Sequence, residues 1–173
     1  GGFIVPAATT TGEVVVNGMS PSKRNNQFAN SGIVVEINAE KDLYKYEQFG
    51  VLKALEYQKD LERLAYTSGG RSQTAPAQRL TDFVEGKLSS RLNPTSYQPG
   101  LNSAPLHSLL PKLIGSRLRQ GFKVFGDKMK GYYTEDANIV GVESRTSSPV
   151  SIPRNEQLQH PQLSNLFPCG EGA

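Results

Sequence analysis

"LHSLLPKLIGSRLRQGFKVFGDKM", residues 106–129, carries the clearest periodic signal in the chain. Leu106, Leu109, Leu110, Leu113, Ile114, Leu118, Phe122, Phe125 and Met129 recur at the three- and four-residue spacing that lines one face of a helix. Pro111 divides the stretch, because proline fits a first helical turn and breaks an interior one. Upstream, Val51, Leu55, Leu61 and Ala65 fall near one face between about Gln48 and Tyr66, and Ser68-Gly69-Gly70 supplies a stop. Leu80, Phe83, Val84 and Leu88 predict a third, shorter amphipathic helix.

Outside this helical block the pattern changes. Phe3-Ile4-Val5, Glu13-Val14-Val15-Val16 and Ile33-Val34-Val35-Glu36-Ile37 are β-rich runs bounded by glycine clusters, and each predicts a strand. Asn17-Gly18 predicts a turn after the second, and "MSPSKRNNQFANSG" (19–32) a loop. Ile139-Val140-Gly141-Val142 reads as a strand, "ESRTSSPVSIPR" (143–154) as an extended loop, and Leu166-Phe167 as a last short strand. The expected class is α+β: residues 1–40 strand-rich, 41–133 a helical subdomain, 134–173 strand and loop.

Bulk properties narrow the function. The chain has 173 residues, enough for one domain with a core, and no apolar run approaches the roughly 20 residues that span a bilayer. The default compartment is the cytoplasm. A single cysteine, Cys169, and two histidines, His107 and His160, give no zinc-ligand spacing, so no metal is expected. The net charge of +3 is too small to argue for nucleic acid by itself. The chain opens on "GGFIVPAA" and closes on "NLFPCGEGA", a strand running into a glycine turn, which together predict a piece of a longer polypeptide.

That last turn has chemical potential. Glycine lacks a Cβ, so Gly170-Glu171-Gly172 offers backbone that a bulky ligand can approach. A helix beginning at such a turn would aim its N–H groups at a phosphate, and Glu171 can accept hydrogen bonds from a sugar hydroxyl. A glycine turn that simply joins two elements remains the alternative.

"GVESRTSSPVSIPR" (141–154) leading to "LFPCGEGA", with "FIVPAATTTGEVVVNGMSPSKRNNQFANSG" (3–32) and "SQTAPAQRLTDFVEGK" (72–87) before them, resembles the bacterial NAD(FAD)-utilizing dehydrogenases, which are FAD-dependent oxidoreductases. The resemblance runs over essentially the whole chain. It implies a two-domain flavoprotein in which Gly170, Glu171, Gly172 and Ala173 contact FAD, and in which NAD(P)H is a possible reductant. The chain contains no G-x-G-x-x-G unit following a strand, so the resemblance is to the substrate-side domain, without tight FAD binding of its own.

Two loops are candidates for the face toward flavin and substrate. Asn17, Ser20, Arg24, Asn25, Asn30 and Ser31 gather amides, hydroxyls and a guanidinium that can fix an anionic or carbonyl-bearing molecule. Arg145, Thr146, Ser147 and Ser148 do the same, and the resemblance implies that their segment passes near the flavin ring, where positive charge tunes it. Asn, Ser and Gly also dominate ordinary turns, so a structural role stays open for both. Cys169 is expected to be a small buried hydrophobe, and His107 a polar residue near a helix start. The basic stretch 108–130, with Lys112, Arg117, Arg119, Lys123, Lys128 and Lys130, reads as a solvated face; the alternative is a protein- or nucleic-acid-binding module. The expected partners are the rest of the parent flavoprotein and an unknown small-molecule substrate, with a second copy through an exposed domain face as a further option.

Overall fold

Pro111 divides its helical stretch as its ring requires. In the computed structural model, which describes residues 1–173, Leu110 is extended (φ −63°, ψ 146°) ahead of it, separating α4 (Leu106–Leu109) from α5 (Lys112–Lys128). Ahead of these come β1 (Phe3–Pro6), β2 (Val16–Met19), α1 (Ala39–Asp42), a 3-10 segment Tyr44–Leu52 and α2 (Lys53–Ser68). Then follow β3 (Ala75–Arg79), α3 (Leu80–Glu85) and β4 (Leu101–Ser103), and after α5 comes β5 (Asn138–Val140). The class is α+β. Two of the strands, β3 and β4, lie inside the block read from sequence as helical.

The chain divides into two compact units, Gly1–Glu36 with Leu61–Glu143, and Ile37–Asp60 with Ser144–Ala173. The first holds both sheets. β1 and β2 pair antiparallel, Phe3 opposite Met19 and Pro6 opposite Val16. β3 is the centre of a three-stranded sheet, parallel to β4 and antiparallel to β5. Pro76 lies in that central strand and is tolerated, because the β5 ladder starts only at Ala77 and the β4 side uses the N–H of Ala75, which donates to Gly100 O at 3.0 Å.

Two apolar clusters fill this unit. One gathers Val14, Val16, Ala65, Ala75 and Tyr97. The other joins Leu80, Phe83 and Val84 of α3 to Leu106 and Phe122, with Phe83 and Phe122 edge to face at 6.2 Å. Burial of each such side chain contributes roughly 1.5–3 kcal/mol. α3 ends on Gly86, whose φ of 75° lets the N–H of Lys87 reach back to Asp82 O at 2.8 Å. Under α3 a polar knot is buried: Arg79 Nε donates to Asp82 Oδ2 at 3.0 Å, and Ser89 Oγ donates to the same oxygen at 2.7 Å. Burial pushes the Asp82 carboxyl up, but the hydrogen bonds from Arg79 and Ser89, with the charges of Arg79 and Lys87, hold it below the ordinary carboxylate value.

Several expectations need correction. Ile33–Ile37 forms no strand; it has β-branched residues but no ladder partner, and Ile33 packs against the α3 cluster instead. Asn17-Gly18 is not a turn: both residues sit in β2, opposite Val5 and Ile4. Glycine is needed at 18 for another reason, since a Cβ there would stand 2.6 Å from the Asn30 amide oxygen. Leu166-Phe167 is irregular and exposed. Val51, placed on the inner face of a helix starting near Gln48, is 91% exposed. Gly50, at φ 54° and ψ −125°, breaks the helical path, so α2 begins only at Lys53 and Val51 falls out of phase with Leu55.

In the second unit, α1 is capped by Asn38, whose Oδ1 accepts from Glu40 N at 3.1 Å and Lys41 N at 3.0 Å. Tyr46 stacks edge to face on Tyr57 at 5.4 Å and donates its hydroxyl to Asp60 at 2.7 Å. Burial, then the bond to Asp60 and its charge, pushes the Tyr46 hydroxyl up to about 12.

Candidate functional site

The loop after β2 is shaped by one side chain. Asn30 Nδ2 donates to Phe3 O and to Met19 O, both at 3.2 Å, and so pins the returning end of the loop across the β1–β2 ribbon. Its amide fills the space beside Gly2 and Gly18, where any Cβ would collide with it. The same end is held by Ser31 Oγ, 3.3 Å from Tyr132 Oη, while the N–H of Gly2 donates to Phe28 O. Of the six residues singled out here, Asn30 and Ser31 thus hold the loop in place, whereas Asn17, Ser20, Arg24 and Asn25 are exposed. Arg24 sits at a positive φ of 47°, its N–H bonded to Pro21 O at 2.9 Å, so a tight turn carries the guanidinium at the loop's tip.

The second unit brings two other predicted segments together. Ser148 Oγ donates to Val150 O at 2.7 Å, and the N–H of Ile152 donates to Gly172 O at 2.6 Å, so residues 148–152 run beside the glycine turn. Ala173 N closes the turn on Gly170 O at 3.2 Å, with Gly170 at φ 95°. Gly172 is required by space: a Cβ there would lie 2.6 Å from Ser148 Oγ and 2.8 Å from Val150 O. Beside Gly170 nothing stands within 4 Å of a built Cβ, and Glu171 is exposed. Arg145, Thr146 and Ser147 are exposed on the approach to this turn.

The remaining candidates have structural roles or none in the site. His107 N donates to Oε1 of the fully buried Gln78 at 2.9 Å, and its Nδ1 lies 3.0 Å from Gln78 Nε2, which ties α4 to β3. His160 Nδ1 accepts from Gln162 N at 3.2 Å within its loop. Cys169 is exposed rather than buried; the neighbouring Pro168 takes the inward place. On the basic helix, Arg117 Nη1 donates to Glu36 O at 2.9 Å and Arg119 Nε to Val84 O at 2.8 Å, so two of its cations are engaged with backbone carbonyls. No group of three His, Cys, Asp or Glu side chains stands close enough to hold a metal ion, and no helix is long and apolar enough to cross a membrane. One concavity escaped the sequence reading: about 460 Å³ bordered by Thr9, Thr10, Thr11, Gly12, Tyr66 and Gln73. Its only signal was three consecutive hydroxyls before Gly12, which adopts φ 85°.

With this geometry in place, comparison with known proteins gives the relationship. A family model described as "FAD-dependent protein, C-terminal domain-like" matches residues 1–146. The chain belongs to this family. An uncharacterized protein of Clostridium beijerinckii is 37% identical to it over 175 residues, a match that takes in all of this chain and 32% of that protein. The chain therefore spans about a third of the length of this curated relative. The FAD-dependent C-terminal-like domain as matched stops short of Ser147, so loop 17–31 lies inside it and the turn 170–173 outside it.

FAD, which the family implies, can be tested against the residues present. The fit is partial. The open backbone beside Gly170 and the exposed carboxylate of Glu171 suit the hydroxyls of a cofactor, whereas the Gly172 side is already filled by Ser148 and Val150. The chain has no phosphate-binding glycine unit of its own.

Proposed function

We propose that this chain is the substrate-side domain of an FAD-dependent oxidoreductase whose flavin is held mainly by the other part of the polypeptide. The observation that carries the reading is the match of residues 1–146 to the FAD-dependent C-terminal-like family. Two features of the chain agree with it. The Gly170–Ala173 turn, aligned by the Ser148–Ile152 segment, presents Glu171 to hydroxyl groups of the cofactor. The loop tip carrying Arg24 and Asn25, held on its ribbon by Asn30, supplies a cation and an amide for an anionic or carbonyl-bearing small molecule. FAD supplies the hydride or electron transfer when bound, and a nicotinamide cofactor is the proposed reductant. The chain by itself is catalytically silent on this reading.

The test is spectroscopic. The full-length protein in which this domain occurs is expected to purify yellow, with a flavin spectrum that bleaches on reduction by a nicotinamide cofactor. The isolated 173-residue chain, titrated with FAD, is expected to leave the flavin fluorescence unquenched. A colourless full-length protein that takes up no FAD overturns the reading.

A further inference from the structure

The second unit is poorly covered. Of the fifteen large apolar side chains exposed on the chain, nine belong to Ile37–Asp60 and Ser144–Ala173, whereas Leu43 is the unit's sole member among the fourteen buried apolar residues. Four of the nine fall within the nine-residue segment Tyr44–Leu52: Tyr44, Phe49, Val51 and Leu52. Their display has a local cause. Tyr46 and Tyr57 form the inner layer, fixed by the bond from Tyr46 to Asp60, and Phe49 lies against Tyr46 with ring centres 6.1 Å apart. Gly50 then turns the chain through a conformation closed to other residues and throws Val51 outward. Lys53 Nζ binds Glu47 at 2.9 Å across this kink and holds its two arms together. The result is a braced apolar knuckle rather than a frayed helix end.

We infer that the knuckle Tyr44–Leu52 is the docking surface on which the flavin-binding part of the longer polypeptide seats, an inference that rests on the flavoprotein reading for the identity of the occupant. Three observations select that occupant. The Clostridium beijerinckii relative, which matches the whole of this chain, has more than twice as much polypeptide outside the matched region as inside it, so a covalently linked partner of ample size exists in the family. Residues 147–173, which lie beyond the matched domain, fall in the same compact unit as the knuckle, so the polypeptide outside the family match shares a unit with the apolar face. Finally, exposed aromatic and aliphatic side chains gathered along one short segment are of the kind that marks interaction sites, and aromatic residues are among those enriched at the centres of interfaces.

Oxidative footprinting tests this on the full-length protein and on the 173-residue chain side by side. Tyr44 and Phe49 are expected to be labelled readily in the chain and to lose that labelling in the full-length protein. Val51→Glu, at a position already in solvent here, is expected to restore labelling in the full-length protein, whereas Val51→Ile leaves it protected. Equal labelling of both proteins overturns the inference, and so does protection that appears in the chain alone as its concentration rises, which would assign the face to a second copy. Flavin absorbance read on the same samples separates the two readings. A yellow protein with a labelled knuckle sinks the docking surface only; a colourless protein with a protected knuckle supports docking to the linked polypeptide and sinks its description as flavin-binding.

Discussion

Replacing Asn30 by alanine removes two donated hydrogen bonds at once and leaves the carbonyls of Phe3 and Met19 to find other donors. The expected cost is about 1–3 kcal/mol, read as a lower Tm, with faster tryptic cleavage after Arg24 as the loop end comes free. An unchanged Tm would show that the amide does not hold the ribbon. Asp82 gives a second prediction with a definite sign. Its carboxyl is held below its unfolded value, so its contribution is fully present above about pH 4 and is lost as pH falls through the lower, folded value. Denaturant midpoints measured from pH 7 down to pH 2 should therefore fall on the acid side. Asp82→Asn should lower the neutral value and flatten that slope. Composition alone flagged Asn30 together with Asn25 as amides that can bind a small molecule, with turn formation as the alternative for both. It could not separate the clamp from the exposed tip, since a clamp is defined by which carbonyls come within reach.

At the scale of elements, legibility followed the source of each element's stability. α5 was readable because its apolar stripe is written in its own sequence, and Phe122 on that stripe is buried against Phe83 and Phe125. Phe122→Ala should destabilise the chain by about 3–5 kcal/mol, measured as a shifted urea midpoint. Val124→Ala, two residues on and partly in solvent, should stay within about 0.5 kcal/mol. By contrast β3, "APAQR", has no β-branched residue and carries a proline, so nothing local declares a strand. It is one because β4 and β5 flank it and its small side chains let helices close over the sheet. The kink at Gly50 was hidden for a related reason: an isolated glycine within a helical pattern does not announce its φ.

For the whole molecule, the uneven distribution of buried side chains predicts uneven opening. Both apolar clusters belong to the first unit, so hydrogen exchange should protect the amides of β3 and α5 most and release those of 37–60 and 144–173 first. Uniform protection across the chain would contradict the division. The flavoprotein relationship was legible from motifs spread along the whole length, which the match to 1–146 supports at the level of the FAD-dependent family. The apolar knuckle was not legible, because exposure depends on the fold around a residue and Val51 looks the same in a sequence whether it faces inward or out.

The central position of β3 also governs the order of events at the ribosome. Its neighbours are β4, which follows in sequence, and β5, which is made only at Asn138–Val140, while the N–H of Val16 waits for Val142 O. At synthesis rates of roughly 5–20 residues per second, the strand that organises the sheet emerges seconds before its last partner exists. Until then one hydrogen-bonding edge of β3 stands open, a template for pairing with another nascent chain. Truncation before residue 138 is thus expected to give aggregates rather than a smaller domain, an outcome that light scattering of the truncated chain would check.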